Sequence, residues 1–320
     1  MPGPIGSDLH VDGLLTNVLI SYRNPNYIAD QIFPLAPVMK RSDIVPKYDQ
    51  SHWFRSNAKL REARTKSERG GFSADKTDKY FCDRFSIAFE IDDDTRDNTD
   101  APYNLDRDAT EWVTDQLQLV REVNFATDFF KTGVWGTDKD GTGNADFAQF
   151  SDYGASTPLP VITGFVDTIE GKIGREPNVL VLGKLVKSQL KWHPDIVDLI
   201  KYTQRGQITD ELLASLLEVP KLLIGRAIQT TSAEGTAEAS VTYTRVWGKN
   251  GLLLYVPSAP SILQPAAGYT FVWKKAVNAI GYVKRMRDEE REVDIIEGNS
   301  YFDQKVTGAN GGLFFNAAVA

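Results

Sequence analysis

The chain reads as an α+β protein, and three features of its sequence carry that reading. A long helical stretch stands near the middle, around residues 108–132. Short strand-like runs lie on both sides of it without a regular strand–helix–strand repeat. A segment dense in Arg and Lys sits between two apolar runs, in the pattern of an extended hairpin.

Residues 1–48 form the first unit, an extended arm. Pro2, Pro4, Pro25, Pro34, Pro37 and Pro46 break any helix longer than a few turns. Apolar residues such as Leu14, Leu15, Val18, Ile28, Ile32 and Phe33 are too numerous for a disordered tail. The arm is expected to pack on its own chain or on a neighbour.

From about Lys47 to Asp83 the character changes. Arg55, Lys59, Arg61, Arg64, Lys66 and Arg69 crowd together, and Gly70-Gly71 breaks the run. Trp53-Phe54 flanks it on one side. On the other, Phe81, Phe85, Ile87, Phe89 and Ile91 run close to period 2. A solvated surface loop has the same composition. Loops this long are uncommon inside compact domains, however, and reaching a neighbouring subunit is one use for them.

The helix follows. Asp108 is the expected N-cap with Glu111 as its capping-box partner, Lys131 suits the last turn, and Gly133 suits the left-handed close. Val113, Leu117 and Val120 make one apolar stripe; Trp112, Leu119, Val123, Ala126 and Phe130 make another. At 1.5 Å per residue the helix spans roughly 35 Å, which makes it a structural beam. Nothing on it marks an active site.

Beyond a Gly/Pro-rich loop (135–160), residues 161–173 read as a second helix, and Val179 to Leu182 as a strand buried on both faces. Helices are expected over 185–190 and 196–202, broken at His193-Pro194, and again after a cap at Thr209 or Asp210. Residues 221–229 read as a strand, and 241–247 with 251–256 as a hairpin around Gly248-Lys249-Asn250-Gly251. The remainder is strand-rich, over 270–273, 281–286, 292–296 and 301–306, with an apolar tail at 313–319.

Composition excludes several classes of function. The 320 residues suffice for one large or two moderate domains. No apolar run is long enough to span a membrane, and the N-terminus lacks the pattern of a secretory signal. Cys82 is the only cysteine, so neither an intrachain disulfide nor a Cys-based zinc cluster is available. His10, His52 and His193 sit in no metal-ligand spacing. A net charge of −7 argues against a free-standing nucleic-acid binder, though not against a protein that merely encloses nucleic acid.

The site-like signals are weak. Asp138, Asp140, Thr142, Gly143, Asn144 and Asp146 follow a calcium-loop spacing, but Gln149 stands where a bidentate Glu belongs, so a Gly/Asp turn is the better reading. Asp92-Asp93-Asp94 is read as a solvated run near a helix start. His193 and Cys82 read as structural. No GxGxxG, P-loop or GxSxG occurs. Arg285, Arg287, Asp288, Glu289, Glu290 and Arg291 suit a solvated face or an intersubunit ion-pair surface. No catalytic, cofactor-binding or metal residues are assigned, and no enzyme activity or cofactor is expected.

The order of these parts resembles the major capsid proteins of tailed bacteriophages, which have the Hong Kong 97-type fold. The segments that carry the likeness are NVLVLGKLVKSQLKWHPDI, QITDELLASLLEV, KLLIGRAI and WGKNGLLLYVP. The resemblance implies an N-terminal arm (1–48), an extended E-loop (49–90) and a P-domain (91–177) holding the spine helix 108–132. An A-domain (178–275) and return strands completing the P-domain (276–320) would follow. It also implies self-assembly into hexamers and pentamers of an icosahedral shell around double-stranded DNA, without sequence-specific binding and without a membrane.

Portal and scaffolding proteins, and a decoration protein, are the further partners implied, with assembly in the bacterial host cytoplasm and a final location in the virion. No long helical scaffolding segment precedes the arm, so a scaffold would be supplied separately or already removed. Arg55, Lys59, Arg61, Arg64, Lys66 and Arg69 are then the candidates for contact between subunits. Alternative readings are an encapsulin-type nanocompartment shell, with the same fold, and an enzyme whose site is unrecognised.

Overall fold

The computed structural model describes Leu15 and residues 24–45, 47–48, 54–67, 69, 71, 74–99, 103–201, 208–233, 235–258, 266–274 and 281–320. The expected arm residues 1–14 and 16–23, hairpin residues 49–53, 68, 70 and 72–73, and the helix end at Tyr202 lie outside them.

Two five-stranded sheets organise these residues. The first contains β1 (Leu35–Val38), β13 (Gly268–Trp273), β15 (Val293–Val306) and β14 (Tyr282–Asp288), with β6 (Asp83–Asp92) also paired to β15. β15 is long enough to pair antiparallel with β6 from Val293 to Phe302 along one edge, and along the other with β14 from Val293 to Asn299 and β13 from Phe302 to Val306. The period-2 expectation holds along β6, where Phe85 stacks on Phe302 at 4.6 Å, Phe89 meets Trp112 edge-on at 5.5 Å and Ile91 is buried, but Phe81 ends a separate strand with its ring exposed.

The second sheet has the order β7 (Thr137–Asp140), β16 (Gly312–Asn316), β12 (Gly251–Leu254), β8 (Val179–Gly183), β9 (Lys221–Gly225). β8 is buried on both faces, as expected. Leu180 and Leu182 enter one core with helices α4 (Pro158–Ile173), α5 (Lys184–Trp192), α6 (Pro194–Ile200) and α7 (Asp210–Leu216). Val179 and Val181 enter a second core with Phe33, Phe125, Phe130, Trp135 and Trp247. The helix breaks at His193 and the α7 cap at Thr209, whose Oγ1 accepts from Leu212 N, both stand where the sequence places them.

Several expectations are corrected. The long helix, α3, runs Leu105–Phe129, three residues earlier than the expected 108–132. Its cap is Asn104, whose Oδ1 accepts from Arg107 N at 3.2 Å, and Glu111 pairs with Arg107 instead of returning to Asp108. The chain leaves the helix at Phe130, which turns inward onto Trp247 and Phe314, while Trp135 Nε1 donates to the carbonyl of Phe129 at 2.7 Å. Its buried face follows the four-residue ladder Val113, Leu117, Arg121, Phe125, and Trp112 and Val120 are exposed. Buried Thr110 and Thr114 satisfy their hydroxyls on carbonyls one turn back, so they can line this face at little cost.

The expected hairpin over 241–256 does not form. β11 (Tyr243–Arg245) pairs instead with β10 (Ile228–Thr230), which a break at Arg226-Ala227 separates from β9. β12 is buried at every residue, so it takes the interior of the sheet between β8 and β16, whereas the polar YTR run suits an exposed ribbon. The return segment also divides. β14 and β15 lie in the first sheet, but β16 joins the second, because Leu313 and Phe315 fill one of its cores and Phe314 the other. α4 packs into the core of that second sheet as well.

α3 lies on β15 closely enough that any side chain at position 298 would force a neighbour to move. A Cβ there would overlap Val113 Cγ1 and press on Leu117 Cδ1 at 3.1 Å. Gly298→Ala is expected to lower unfolding free energy by ~1–3 kcal/mol. Gly164 lies inside α4 with open space where its Cβ would be, so Gly164→Ala should instead stabilise by up to ~1 kcal/mol. Paired thermal melts of the two variants check both signs.

Candidate functional site

The residues that hold the parts together converge on the middle of α3. Glu122 is fully buried, and its carboxylate accepts from Ile28 N at 3.0 and 3.1 Å, from Ala29 N at 2.7 Å and from Trp247 Nε1 at 2.7 Å. Ile28 and Ala29 stand at the start of α1 (Ala29–Ile32), so Glu122 satisfies amides that this one-turn helix leaves open. Trp247 belongs to the turn before β12. One side chain therefore ties the arm to the second sheet.

Arg121, adjacent and buried, reaches the other way. Its Nη1 lies 2.7 and 2.8 Å from the Asp30 carboxylate oxygens, its Nη2 donates to Ser300 Oγ on β15 at 3.1 Å, and its guanidinium sits 4.8 Å over Phe302. Asp115 adds bonds from Asn24 Nδ2 and Tyr27 Oη, and Gln118 Oε1 accepts from Asn24 N. Residues 24–33 thus pack along their own α3, within the alternatives left open by the sequence.

Burial pushes the Glu122 carboxyl up to about 7, against the pull of its amide and indole donors. A carboxyl raised on folding contributes stability that is fully present below its unfolded value, about 4.5, and is lost as pH rises through about 7. Sequence reasoning missed this pair. The available signal was a charge at each of two positions where the apolar ladder of α3 should have continued.

The basic hairpin is present and outward-facing. Its stem pairs β2 (Ser42–Ile44) with β5 (Lys79–Phe81) and β3 (Lys47–Tyr48) with β4 (Ala74–Asp75), so the first strand comes from the arm and not from residues 53–54. Arg61 folds back on the tip, with Nε donating to Thr65 O at 2.7 Å and Nη1 to Ser67 Oγ at 3.1 Å, and Arg64 takes a left-handed φ of 66°. Arg55, Lys59, Arg64, Lys66 and Arg69 are exposed beside a fully exposed Leu60.

The remaining signals resolve into structure. The 138–146 stretch is a turn whose carboxylates accept from its own amides, Asp140 Oδ1 from Thr142 N and Asp146 Oδ2 from Asp140 N. No metal-holding cluster occurs among the described residues. Asp92 caps α2 (Asp93–Asp97) through Thr95 N. The 285–291 cluster finds its partners within the chain: Arg285 and Arg96 both meet Asp294, Arg287 meets Asp93, and Arg291 meets Glu90. Cys82 is buried and its thiol is pushed up to about 12 by desolvation, the behaviour of a small apolar side chain.

His193 acquires partners that the sequence did not reveal. Ser156 Oγ lies 2.9 Å from its Nε2, and Asp195 N donates to its Nδ1 at 3.2 Å. Ser156 gives its own proton to Asp152 O at 2.6 Å, so Oγ accepts from Nε2–H and the bare nitrogen is Nδ1. A Ser-His-Asp triad requires the opposite tautomer. The Asp195 carboxylate is also 3.8 Å from Nδ1, outside hydrogen-bond range. The trio is a helix-junction brace, capping α6 where α5 ends.

No family model matches the chain. Two curated proteins do, both named major capsid protein. That of Burkholderia phage BcepMu is 28% identical over 313 residues, covering 96% of each chain; that of Pseudomonas phage JBD67 is 29% identical over 248 residues, covering 77% of each. The chain is related to phage major capsid proteins. Solved structures agree on the fold. A phage-related protein from Bordetella bronchiseptica RB50 superposes with a TM-score of 0.76 at 22% identity, covering 97% of this chain and 98% of that one. The capsid of cyanophage P-SCSP1u gives 0.57 at 12% identity, covering 92% and 89%. The chain therefore has the Hong Kong 97-type fold.

Glu122→Gln leaves a single acceptor oxygen for the donors around it, and is expected to cost ~1–3 kcal/mol. It should also abolish this group's share of the pH dependence. Between pH 4.5 and 7 the wild type should lose up to ~3 kcal/mol that the variant does not lose. Denaturant titrations of both proteins across that window provide the check.

Proposed function

We propose that this chain is the major capsid subunit of a tailed bacteriophage, assembling as hexamers and pentamers into an icosahedral shell that encloses double-stranded DNA. The observation that carries the reading is similarity along nearly the whole length to proteins named major capsid protein, together with a capsid fold. The work of such a subunit is contact with its own copies, which needs a stiff frame and outlying elements that can reach a neighbour. α3 with its two sheets supplies the frame. The protein acts structurally and not as an enzyme, in the virion, after assembly in the bacterial host cytoplasm. Portal and scaffolding proteins, and a decoration protein, are its further partners.

The E-loop is the first of the outlying contacts. Arg55, Lys59, Arg61, Arg64, Lys66 and Arg69 sit on a hairpin whose tip is held by its own hydrogen bonds and whose side chains face solvent. In a chain of net charge −7, a basic tip meets complementary charge on the body of the next copy.

Electron microscopy and light scattering of the purified chain, alone and with the neighbouring phage genes co-expressed, test the function. Closed shells or ring-shaped capsomers are expected; a compact monomer under every condition would contradict it. For the E-loop, reversing Arg55, Lys59 and Arg64 together to Glu should leave the melting temperature within a few degrees, because the sites are exposed, and should suppress shell formation. Shells forming at wild-type yield would remove the loop from the interface.

A further inference from the structure

The end of the parallel pair β8 and β9 carries more positive charge than its surroundings balance. Lys184 opens α5, Lys187 follows one turn later, Arg226 follows β9, and Arg245 ends β11. Lys187, Arg226 and Arg245 act on Lys184 as cations, and Asp210 acts on it as a carboxylate. Asp210 already pairs with Lys187 and, at 3.4 Å, with Arg226. Burial and these cations together hold the Lys184 ammonium below its ordinary value. Asp210 is thus shared between two cations, with Lys184 and Arg245 beside them, and in a chain of net charge −7 this is a local field suited to an anion.

The chemistry around the cations is that of a protein contact. In the β10–β11 ribbon, Ile228 opposes Arg245 and Thr230 opposes Tyr243, so all four side chains share one face. Ile228 is 53% exposed and Tyr243 is 64% exposed. Arg beside an exposed aromatic and an aliphatic is the composition of an interface core, whereas a phosphate backbone has no use for the apolar pair.

A matching surface lies at the other end of α5. Trp192, its last residue, is 68% exposed, and α6 exposes Val197 and Leu199 together with Asp195 and Asp198. α6 itself contains two carboxylates and no cation. Lys191 lies over the Trp192 ring and Lys201 follows the helix, so the acidic character is confined to α6. The two surfaces stand at opposite ends of a nine-residue helix, ~12 Å apart along its axis, so one subunit cannot bring its own pair together.

We infer that these are the two halves of one head-to-tail contact between copies of this chain, with α6 of one copy seated on the Lys184/Lys187/Arg226/Arg245 surface and β10–β11 ribbon of the next. A contact between two different patches of the same chain is heterologous, and when its rotation closes it produces a ring. This inference rests on the capsid reading and assigns the residues that would join subunits within one capsomer.

A charge swap tests it. Arg226→Glu with Arg245→Glu, and separately Asp198→Arg, should each raise the concentration needed for capsomer formation at least about tenfold. Their melts should stay within a few degrees of wild type, because all three sites are exposed and the one ion pair lost, Arg226 with Asp210, lies at the surface. Combining all three substitutions should recover most of the lost assembly, read by size-exclusion chromatography with light scattering. Either set assembling like wild type, or the combination remaining as defective as its parents, overturns the pairing. Arg226→Glu/Arg245→Glu shells that assemble normally but retain less DNA would also overturn it, marking the patch as a phosphate site. A wild-type chain that never assembles fails the capsid reading and the pairing with it, whereas assembly of wild type with no response to the swap fails the pairing alone.

Discussion

A buried ion pair's worth of charge in the middle of α3 is the constraint on which the described structure depends. Arg121 and Glu122 are neighbours in sequence, yet they do not pair with each other. One reaches Asp30 and Ser300, the other the amides of Ile28 and Ala29 and the indole of Trp247. Burying two ionisable groups is costly, and burial accordingly pushes the Glu122 carboxyl up to about 7; both groups find their partners only when residues 24–33 and both sheets are in place around them.

That requirement explains how an extended arm and two separate sheets behave as one body. α3 supplies an apolar ladder to the first sheet, with Gly298 allowing the close approach, and Phe125 and Phe130 to the second. The arm fills the remaining side, with Phe33 packed against Phe125 at 4.9 Å and Trp135 at 6.3 Å. The tip of the basic hairpin and the β10–β11 ribbon lie outside this frame and contribute little to either core.

Much of this was legible in the sequence. Period-2 apolar residues predict β6, a continuous apolar run predicts β8, and the His193-Pro194 break and Thr209 cap lie where local chemistry puts them. The errors share a physical cause, which is that local signals do not specify partners. Asp108 is as good a cap as Asn104 in isolation, and only the docked arm and sheet decide between them. VTYTRVW and GLLLYV have the spacing of a hairpin, but burial of Leu252, Leu253 and Leu254 outweighs proximity in sequence and sends the second strand between β8 and β16. Likewise the Ser156–His193 brace joins residues 37 apart, and the pattern of the sequence holds no trace of it. The basic hairpin was readable as a feature, but its stem pairs Ser42–Ile44 and Lys47–Tyr48 with strands some thirty residues on, which no local signal announces.

Amide hydrogen exchange, followed on the free subunit and again on the assembled particle, tests the division between frame and periphery most directly. Ile28, Ala29 and the centre of α3 should exchange slowly in both states. Amides of residues 54–67 should exchange fast in the free subunit and become protected on assembly. Rapid exchange at Ile28 and Ala29 in the folded subunit, or a hairpin whose exchange does not change when particles form, would contradict it.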